Sequence, residues 1–237
     1  MSRRRFFVPH IRDGHAEMEG DDARHLTQVL RVEAGQLFEI SDNRSVYLAE
    51  IESTRKSQVK FRVLEQLPDP PQETPVHLIA ALFKFDRLEM MLEKATELGV
   101  TSVHFVRAER SDKGLEKAGE KRIERWRRIV LEASQQSRRL RLPELHEPVK
   151  LRDALGLPAS RRLFLDEDRS GVSVLESIGE GVQSVALMVG PEGGWADHER
   201  QVAREAGWTS VSLGDRILRA ETAAITALAV VNAALRR

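Results

Sequence analysis

The sequence predicts an α/β protein of two domains, in which a small β-rich domain, predicted as a barrel, precedes a mostly parallel sheet with helices on both faces. Four prolines within residues 67–75 mark a linker, because dense proline resists both helix and sheet. Before the linker, short β-branched or alternating segments are separated by turn residues. After it, apolar strands alternate with helical segments, which is typical of parallel sheets.

The elements of the first domain are short. Strands are predicted at 36–40, 45–51 and 58–64, and one helix at 25–32. This domain is assigned to residues 1–70 and the second domain to residues 71–237.

The second domain begins with a strand at 76–82. Asp86 and Glu89 have capping-box spacing, so a helix is predicted with Asp86 as its N-cap. Its apolar positions from Leu88 to Leu98 recur at helical spacing, and Gly99 suits its end.

Further strands are predicted at 100–106, 162–165, 185–189 and 210–213, and helices at 197–206 and 222–235. Ile123, Trp126, Val130 and Ala133 form the buried stripe of another long helix. The last helix is apolar nearly all round, so it is predicted to be buried in the core or against another subunit.

Composition limits the function. Lys and Arg number 37, as do Asp and Glu, so the whole-chain charge favours no partner. The absence of cysteine excludes disulfides and thiolate chemistry, and the scattered histidines predict no metal site. No apolar run approaches the ~20 residues of a membrane span, and the basic N-terminus is too short for a signal peptide. A cytoplasmic protein is predicted.

The charge is unevenly distributed. Residues 121–141 contain eight basic and two acidic side chains, and 3–5 are all arginine. Such clusters form either a solvated face or a footprint for nucleic-acid phosphates, and the sequence leaves both open.

A glycine-rich turn, Gly-Pro-Glu-Gly-Gly at 190–194, follows the apolar strand at 185–189. It has neither the lysine of a P-loop nor a GxGxxG pattern. Glu192 would repel phosphate but suits a ligand with cationic or amide-like donors. A second strand end lies at 213–222, and ligands of α/β sheets bind beyond such ends. A plain strand–helix connection is the alternative for the turn alone.

These loops belong to a larger set of motifs, found at 5–9, 25, 29–31, 84–87, 97–100, 109–111, 126, 132–138, 190–194, 213–214 and 217–223. With them the sequence resembles, over essentially the whole chain, the SPOUT class of RNA methyltransferases. Within that class it is similar to the RsmE-like family, which methylates N3 of a uridine in 16S ribosomal RNA. The glycine turn followed by Leu-Gly and Ile-Leu-Arg-x-Glu-Thr is the most specific part.

The resemblance implies an N-terminal PUA-like β-barrel and a SPOUT domain containing a deep trefoil knot. It also implies a homodimer, S-adenosylmethionine (SAM) as cofactor, and 16S rRNA or the 30S subunit as partner. The implied SAM-binding residues are Leu187, Val189, Gly190, Pro191, Glu192, Gly193, Gly194, Leu213, Gly214, Ile217, Leu218, Arg219, Glu221 and Thr222.

Arginines are the catalytic candidates. Uracil N3 must lose its proton as it attacks the methyl group, and the charge spreads to the flanking carbonyl oxygens, which an arginine would stabilise. Arg219 and Arg138 are predicted in this role, with a structural pair to Glu192 or Glu221 as the alternative for Arg219. No proton acceptor is assigned, and His198 is predicted to be a first-turn helix residue.

The resemblance implies RNA contacts at Arg5, Arg31, Lys84, Arg87, Arg110, Arg138 and Arg139, each of which could instead be ordinary surface charge. His25 is either an RNA-domain motif residue or a packed or capping residue. Three rivals remain: a SPOUT methyltransferase for another rRNA site or tRNA, a catalytically inactive ribosome-assembly factor, and a nucleotide-binding α/β enzyme.

Overall fold

The computed structural model describes residues 4–167 and 171–236. Arg3 of the N-terminal basic cluster lies outside them. The chain divides into two compact units, Met1–Gln72 with Ser134–Leu142, and Glu73–Ala133 with Pro143–Arg237. The second segment of the first unit has no counterpart in the predicted division after residue 70, which stays a prediction.

The first unit contains one six-stranded sheet with the order β1-β4-β5-β6-β3-β2. Its strands are β1 (Arg5–Phe7), β2 (Ile11–Arg12), β3 (His15–Glu19), β4 (Leu37–Ser41), β5 (Val46–Arg55) and β6 (Gln58–Gln66). Strand β1 pairs in parallel with β4, and the other pairings are antiparallel. Phe6, Met18, Ile40 and Phe61 are buried in the core of this unit. The predicted β-rich first unit is confirmed.

The helix predicted at 25–32 was misplaced. An α-helix, α1 (Gly20–Arg24), continues into a single π-helical turn, His25–Val29. The backbone N–H of Leu30 donates to the His25 carbonyl at 3.1 Å, which closes this wider turn. His25 is exposed, so it is not a packed core residue.

The second unit contains a seven-stranded sheet, and each pairing between its described strands is parallel. Its strands are β7 (Val76–Ala81), β8 (Ser102–Arg107), β9 (Glu144–Lys150), β10 (Arg161–Leu165), β11 (Val172–Ser173), β12 (Val185–Val189) and β13 (Thr209–Ser212). They lie in the order β11-β13-β10-β12-β7-β8-β9. The helices that follow them are α2 (Phe85–Glu97), α3 (Leu115–Glu120), α4 (Ile123–Gln136), α5 (Leu151–Ala154), α6 (Val174–Ser177), α7 (Asp197–Glu205) and α8 (Ala220–Leu235).

Both faces of this sheet are covered, as predicted. Alternate residues of β7 belong to different cores: Leu78 packs with Trp126 and Leu228, and Ile79 packs with Trp195. Helix α8 is apolar because it is a core helix of its own unit, where Leu228 is fully buried and α2 packs against it. Within the part of the chain that the structure describes, every helix is too short or too polar to cross a membrane.

The predicted capping box at Asp86 is wrong. Helix α2 begins at Phe85 after Lys84, without a side-chain cap. Glu89 instead accepts hydrogen bonds from Arg122 at 2.9 Å and from Arg125 at 2.8 Å. The carboxylate is therefore engaged by α4, and these bonds lower the pKa of Glu89.

The arginines at 122–128 are paired with acids. Besides Arg122 and Arg125, Arg127 pairs with Glu124 and Arg128 pairs with Glu132. The helical part of the basic cluster at 121–141 is thus a largely neutralised, solvated face, which favours the first of the two interpretations for these residues.

Candidate active site

The carboxyl ends of three neighbouring strands, β12, β10 and β13, enclose a cavity of about 290 Å³ in the second unit. This is the edge at which parallel α/β sheets bind ligands. The cavity is lined by Arg87, 165–167, 189–192, Gly194, Trp195, 212–220 and Ala223.

Ten of the predicted SAM-binding residues line this cavity: Val189, Gly190, Pro191, Glu192, Gly194, Leu213, Gly214, Ile217, Leu218 and Arg219. The other four lie outside its lining. Leu187 is fully buried within β12, and Thr222 is exposed on the first turn of α8. Gly193 faces Arg110, and Glu221 is buried beside Arg87.

Sequence reasoning missed the loop after β10, where Leu165, Asp166 and Glu167 line the cavity. Strand β10 was predicted, but the sequence does not reveal that it lies between β12 and β13. That position makes its carboxyl end part of the same site. The lining residues Trp195, Ser212, Asp215, Arg216, Ala220 and Ala223 were also missed, although they are close neighbours of the motifs.

The glycine turn is packed so tightly that side chains are excluded. A Cβ atom on Gly190 would lie 2.9 Å from Nε1 of Trp195. Gly194 has a positive φ of +66°, and its Cβ would lie 2.8 Å from Oε1 of Glu167. Trp195 is itself held, because its Nε1 donates to the Leu165 carbonyl at 3.1 Å.

A second set of contacts fastens the turn from the loop after β8. Nη1 of Arg110 donates to the Gly193 carbonyl at 3.1 Å. The buried Glu199 carboxylate accepts from the backbone N–H of Glu109 and from that of Ala196, both at 2.9 Å. Arg110, predicted as an RNA contact, therefore lies against the turn, and Glu199 joins both segments.

Arg87 lies between two carboxylates at the edge of the cavity. Its Nη1 is 3.7 Å from Oε1 of Glu192, and its Nε is 4.0 Å from Oε1 of Glu221. The other oxygen of Glu221, Oε2, is buried and finds no hydrogen-bond partner among the described residues. From the sequence, an ion pair with Glu192 or Glu221 was the alternative role of Arg219. In the structure, Arg87 lies beside these two acids instead.

Arg219 is exposed at the N-cap of α8. Its guanidinium makes no ion pair or hydrogen bond with any residue in the described ranges. The loop before it is also exposed, and the side chain of Ile217 is 83% exposed. At the start of this loop, the Ser212 hydroxyl accepts from the Gly214 N–H at 3.1 Å. Arg219 is therefore available to a substrate at the mouth of the cavity.

The residues present fit SAM. The cavity lining contains no lysine, and its four acids, Asp166, Glu167, Glu192 and Asp215, outnumber its three arginines, Arg87, Arg216 and Arg219, so it does not favour phosphate. SAM carries a sulfonium and an ammonium group and no phosphate, so these acids suit it. The glycines bring backbone groups to the surface of the cavity, where they can bind the ligand without side chains.

The remaining predicted RNA-binding residues differ in their surroundings. Arg5 pairs with Glu39 at 2.8 Å and donates to the Arg138 carbonyl at 2.6 Å. Arg139 donates to the Arg141 carbonyl at 3.1 Å. Arg31, Lys84 and Arg138 are exposed, and the structure describes no partner for their side chains.

The strongest pKa shift lies away from the cavity, on β7 and β8. The Ser102 hydroxyl bonds both Nδ1 of His77, at 2.8 Å, and Nε2 of His104, at 2.9 Å. The His104 ring stacks on His146 with centroids 4.0 Å apart. Burial, together with the two neighbouring histidines, lowers the pKa of His104 to about 4. Burial also lowers the pKa of His77.

Two other sequence expectations concern histidines and metals. His198 is exposed in the first turn of α7, as predicted, and pairs with Glu109 at 3.2 Å. Across residues 4–167 and 171–236, no cluster of three or more His, Asp or Glu side chains could hold a metal ion.

Comparison with known proteins places both units. Residues 70–232 match the family described as an RNA methyltransferase domain, and residues 19–64 match that described as an RNA methyltransferase PUA domain. Ribosomal RNA small subunit methyltransferase E from Mycobacterium bovis is 32% identical over 230 residues, which are 92% of this chain and 86% of the relative. The Synechocystis protein of that name is 35% identical over 221 residues, covering 89% of this chain and 70% of the relative.

A solved structure gives the same result. The crystal structure of a ribosomal RNA small subunit methyltransferase E from Neisseria gonorrhoeae, bound to S-adenosyl methionine, has a TM-score of 0.88 and 31% identity. The match covers 98% of each chain.

Proposed function

This chain belongs to the ribosomal RNA small subunit methyltransferase E family of RNA methyltransferases, and we propose that it uses SAM to methylate N3 of a specific uridine in 16S rRNA. The observation that carries the proposal is the cavity at the ends of β10, β12 and β13, which is lined by glycines and by more acids than basic residues, and which has the unpaired Arg219 in its lining. The SAM-bound relative from Neisseria gonorrhoeae supports the choice of cofactor.

The cofactor supplies an electrophilic methyl group on its sulfonium. The glycine turn would hold the cofactor through backbone N–H and C=O groups, so that its methyl group lies in a position fixed before binding. Arg219 would bind the uracil carbonyl oxygens and stabilise the negative charge that develops as N3 loses its proton. Arg138 is proposed as a second catalytic arginine, because its exposed side chain is also available to the substrate.

The contacts divide the proposed RNA-binding residues into two groups. Arg31, Lys84 and Arg138, which are exposed and have no described partner, are proposed to contact RNA. Arg139 is proposed to contact RNA as well, although it is half-buried and donates to the Arg141 carbonyl. The hydrogen bonds and ion pairs of Arg5, Arg87 and Arg110 support a role in positioning neighbouring segments.

Other features implied by the resemblance are part of the same proposal. They are the domain division at residue 70, the trefoil knot, the homodimer, the cytoplasmic location and the use of the 30S subunit as substrate. Activity on another rRNA site or on tRNA is the nearest alternative.

A transfer assay with isotopically labelled SAM tests the function. The protein is offered 30S subunits that lack N3-methyluridine, free 16S rRNA and unmodified tRNA, and the product is mapped by mass spectrometry. We expect label at N3 of a single 16S uridine. Label on tRNA or at another rRNA position would move the chain to a different substrate. Binding of ATP or NAD in preference to SAM would refute the proposal.

A further inference from the structure

In the first unit, residues 138–142 run alongside the end of β4 and the turn that follows it. The Arg138 carbonyl accepts from Arg5, and the Leu140 carbonyl accepts from the Ser41 hydroxyl at 2.7 Å. The Leu142 N–H then donates to Oδ1 of Asn43 at 2.7 Å. The segment is thus bonded at alternate residues, and Arg141, which lies between two of them, is exposed.

Four arginines flank this contact and share the same properties. They are exposed, and none of their guanidinium groups has a partner among residues 4–167 and 171–236: Arg4, Arg44, Arg138 and Arg141. Arg4 adjoins Glu39, because its carbonyl accepts from the Glu39 N–H at 3.1 Å. Arg44 follows Asn43 directly, at the far end of the segment.

Among the described residues, the neighbouring acids make no ion pair with these arginines. The Glu39 carboxylate is engaged by Arg5 at 2.8 Å. Oδ1 of Asp42 accepts from the backbone N–H groups of Arg44 and Ser45, at 3.0 and 2.9 Å. This contrasts with residues 122–128, where the arginines are paired with acids.

Arg138 adopts a left-handed backbone conformation, with φ at +56°. This conformation costs a residue other than glycine about 1 kcal/mol and recurs at functional positions. The Arg5 bond to its carbonyl helps to hold the strained position.

We propose that Arg4, Arg44, Arg138 and Arg141 form a basic strip that binds the phosphate backbone of the RNA substrate. Unpaired guanidinium groups bind phosphate in bidentate geometry and release condensed counterions. The identity of the RNA rests on the proposed function, and the strip itself rests on the contacts above.

The salt dependence of RNA binding tests the strip. The Arg44→Ala/Arg141→Ala double variant is titrated with a 16S rRNA fragment at several salt concentrations. We expect the slope of log K against log salt to fall by about 2 and the affinity to fall at least about tenfold at low salt. Arg62→Ala is the matched control, since Arg62 is exposed in the same unit but paired with Glu50 at 2.6 Å. Its slope should equal that of the unchanged protein.

The Arg138→Gly variant distinguishes weaker RNA binding caused by loss of charge from weaker binding caused by loss of stability. Glycine relieves the left-handed strain, so this variant should melt at a higher temperature and still bind RNA more weakly. SAM affinity should not change in any of these variants, because the cavity is lined by other residues. Unchanged salt slopes in the double variant would overturn the strip, whether or not methyl transfer is found. A strip-dependent slope without methyl transfer would instead overturn the proposed function alone.

Discussion

Two of the loops that line the candidate active site are built in opposite ways. The turn at 190–194 is fixed by side chains from elsewhere: Trp195 fills the space over Gly190, Arg110 binds Gly193, and Glu199 joins the adjoining segments. The loop at 213–219 has no such fastening in the described structure. Its residues at 214–217 and Arg219 are exposed, and Ile217 is the most exposed large apolar side chain among the described residues.

The difference indicates that the two loops have different roles at the same cavity. A wall that is rigid before binding positions the cofactor without an ordering cost. A wall with unpaired side chains can adjust to a large substrate and bind it. We therefore expect changes in the fixed wall to reduce stability and SAM affinity together, and changes in the open wall to reduce transfer alone.

The largest loss of stability is expected for Glu199→Ala. The change leaves the backbone N–H groups of the buried Ala196 and the exposed Glu109 without this acceptor, which costs about 3 kcal/mol. Urea denaturation and calorimetric titration with SAM measure both effects. Glu205→Ala on the same helix is the control and should change stability by less than about 0.5 kcal/mol. Equal losses in the two variants would contradict a fixed wall.

The open wall is tested by Arg219→Ala. Removal of a donor to a developing negative charge lowers kcat by about 100-fold, and an exposed, unpaired side chain contributes little to stability. We expect unchanged melting and SAM affinity, with the loss confined to single-turnover methyl transfer. A parallel loss of SAM affinity would assign Arg219 to the cofactor instead of the substrate.

A smaller effect is expected for Gly190→Ala. The new Cβ would lie 2.9 Å from Trp195, so the indole must move and its bond to the Leu165 carbonyl is strained. Overpacking of this kind costs about 2 kcal/mol. KM for SAM should rise more than kcat falls. An unchanged KM would show that the turn adapts and is not rigid.

The smallest change in the free energy of unfolding is expected from acidification. The folded pKa of His104 is about 4, against 6.5 for the ordinary side chain, so the unfolded chain binds more protons between these values. This contribution to stability is present above pH 6.5 and is lost as the pH falls towards 4. Partial exposure reduces it to about 1 kcal/mol.

The measurement compares urea midpoints at pH 7 and pH 5 for the protein and for His104→Gln, which should show a smaller pH dependence. SAM affinity should be the same in both proteins at each pH, since the histidines lie away from the cavity. A variant with the full pH dependence would show that other groups cause it.

Much of the fold could be predicted because periodicity and breakers are local. The strand at 185–189 coincides with β12, and the stripe from Ile123 to Ala133 is buried as expected. The helix start at Asp86 was wrong because the capping pattern could not show that Glu89 would be engaged by Arg122 and Arg125, more than thirty residues away.

The candidate site also combines features that follow from local sequence patterns with features that depend on tertiary contacts. Its glycine motifs could be recognised as a set, but the contribution of Asp166 and Glu167 depends on the position of β10 in the sheet. The partners of Arg87 also depend on the tertiary structure, since Glu192 and Glu221 lie on two distant segments. A sequence pattern does not contain such contacts.

The make-up of the first unit constrains how this protein can evolve. Ser134–Leu142 completes a unit whose other residues end at Gln72, and its contact with Arg5 closes a separation of 133 positions. A gene rearrangement that cut at the proline-rich linker would separate the sheet from this segment. The fully buried hydroxyl of Ser41 would then lose its acceptor, the Leu140 carbonyl. An exchange of sequence at the linker would therefore leave the first unit without one of its own segments.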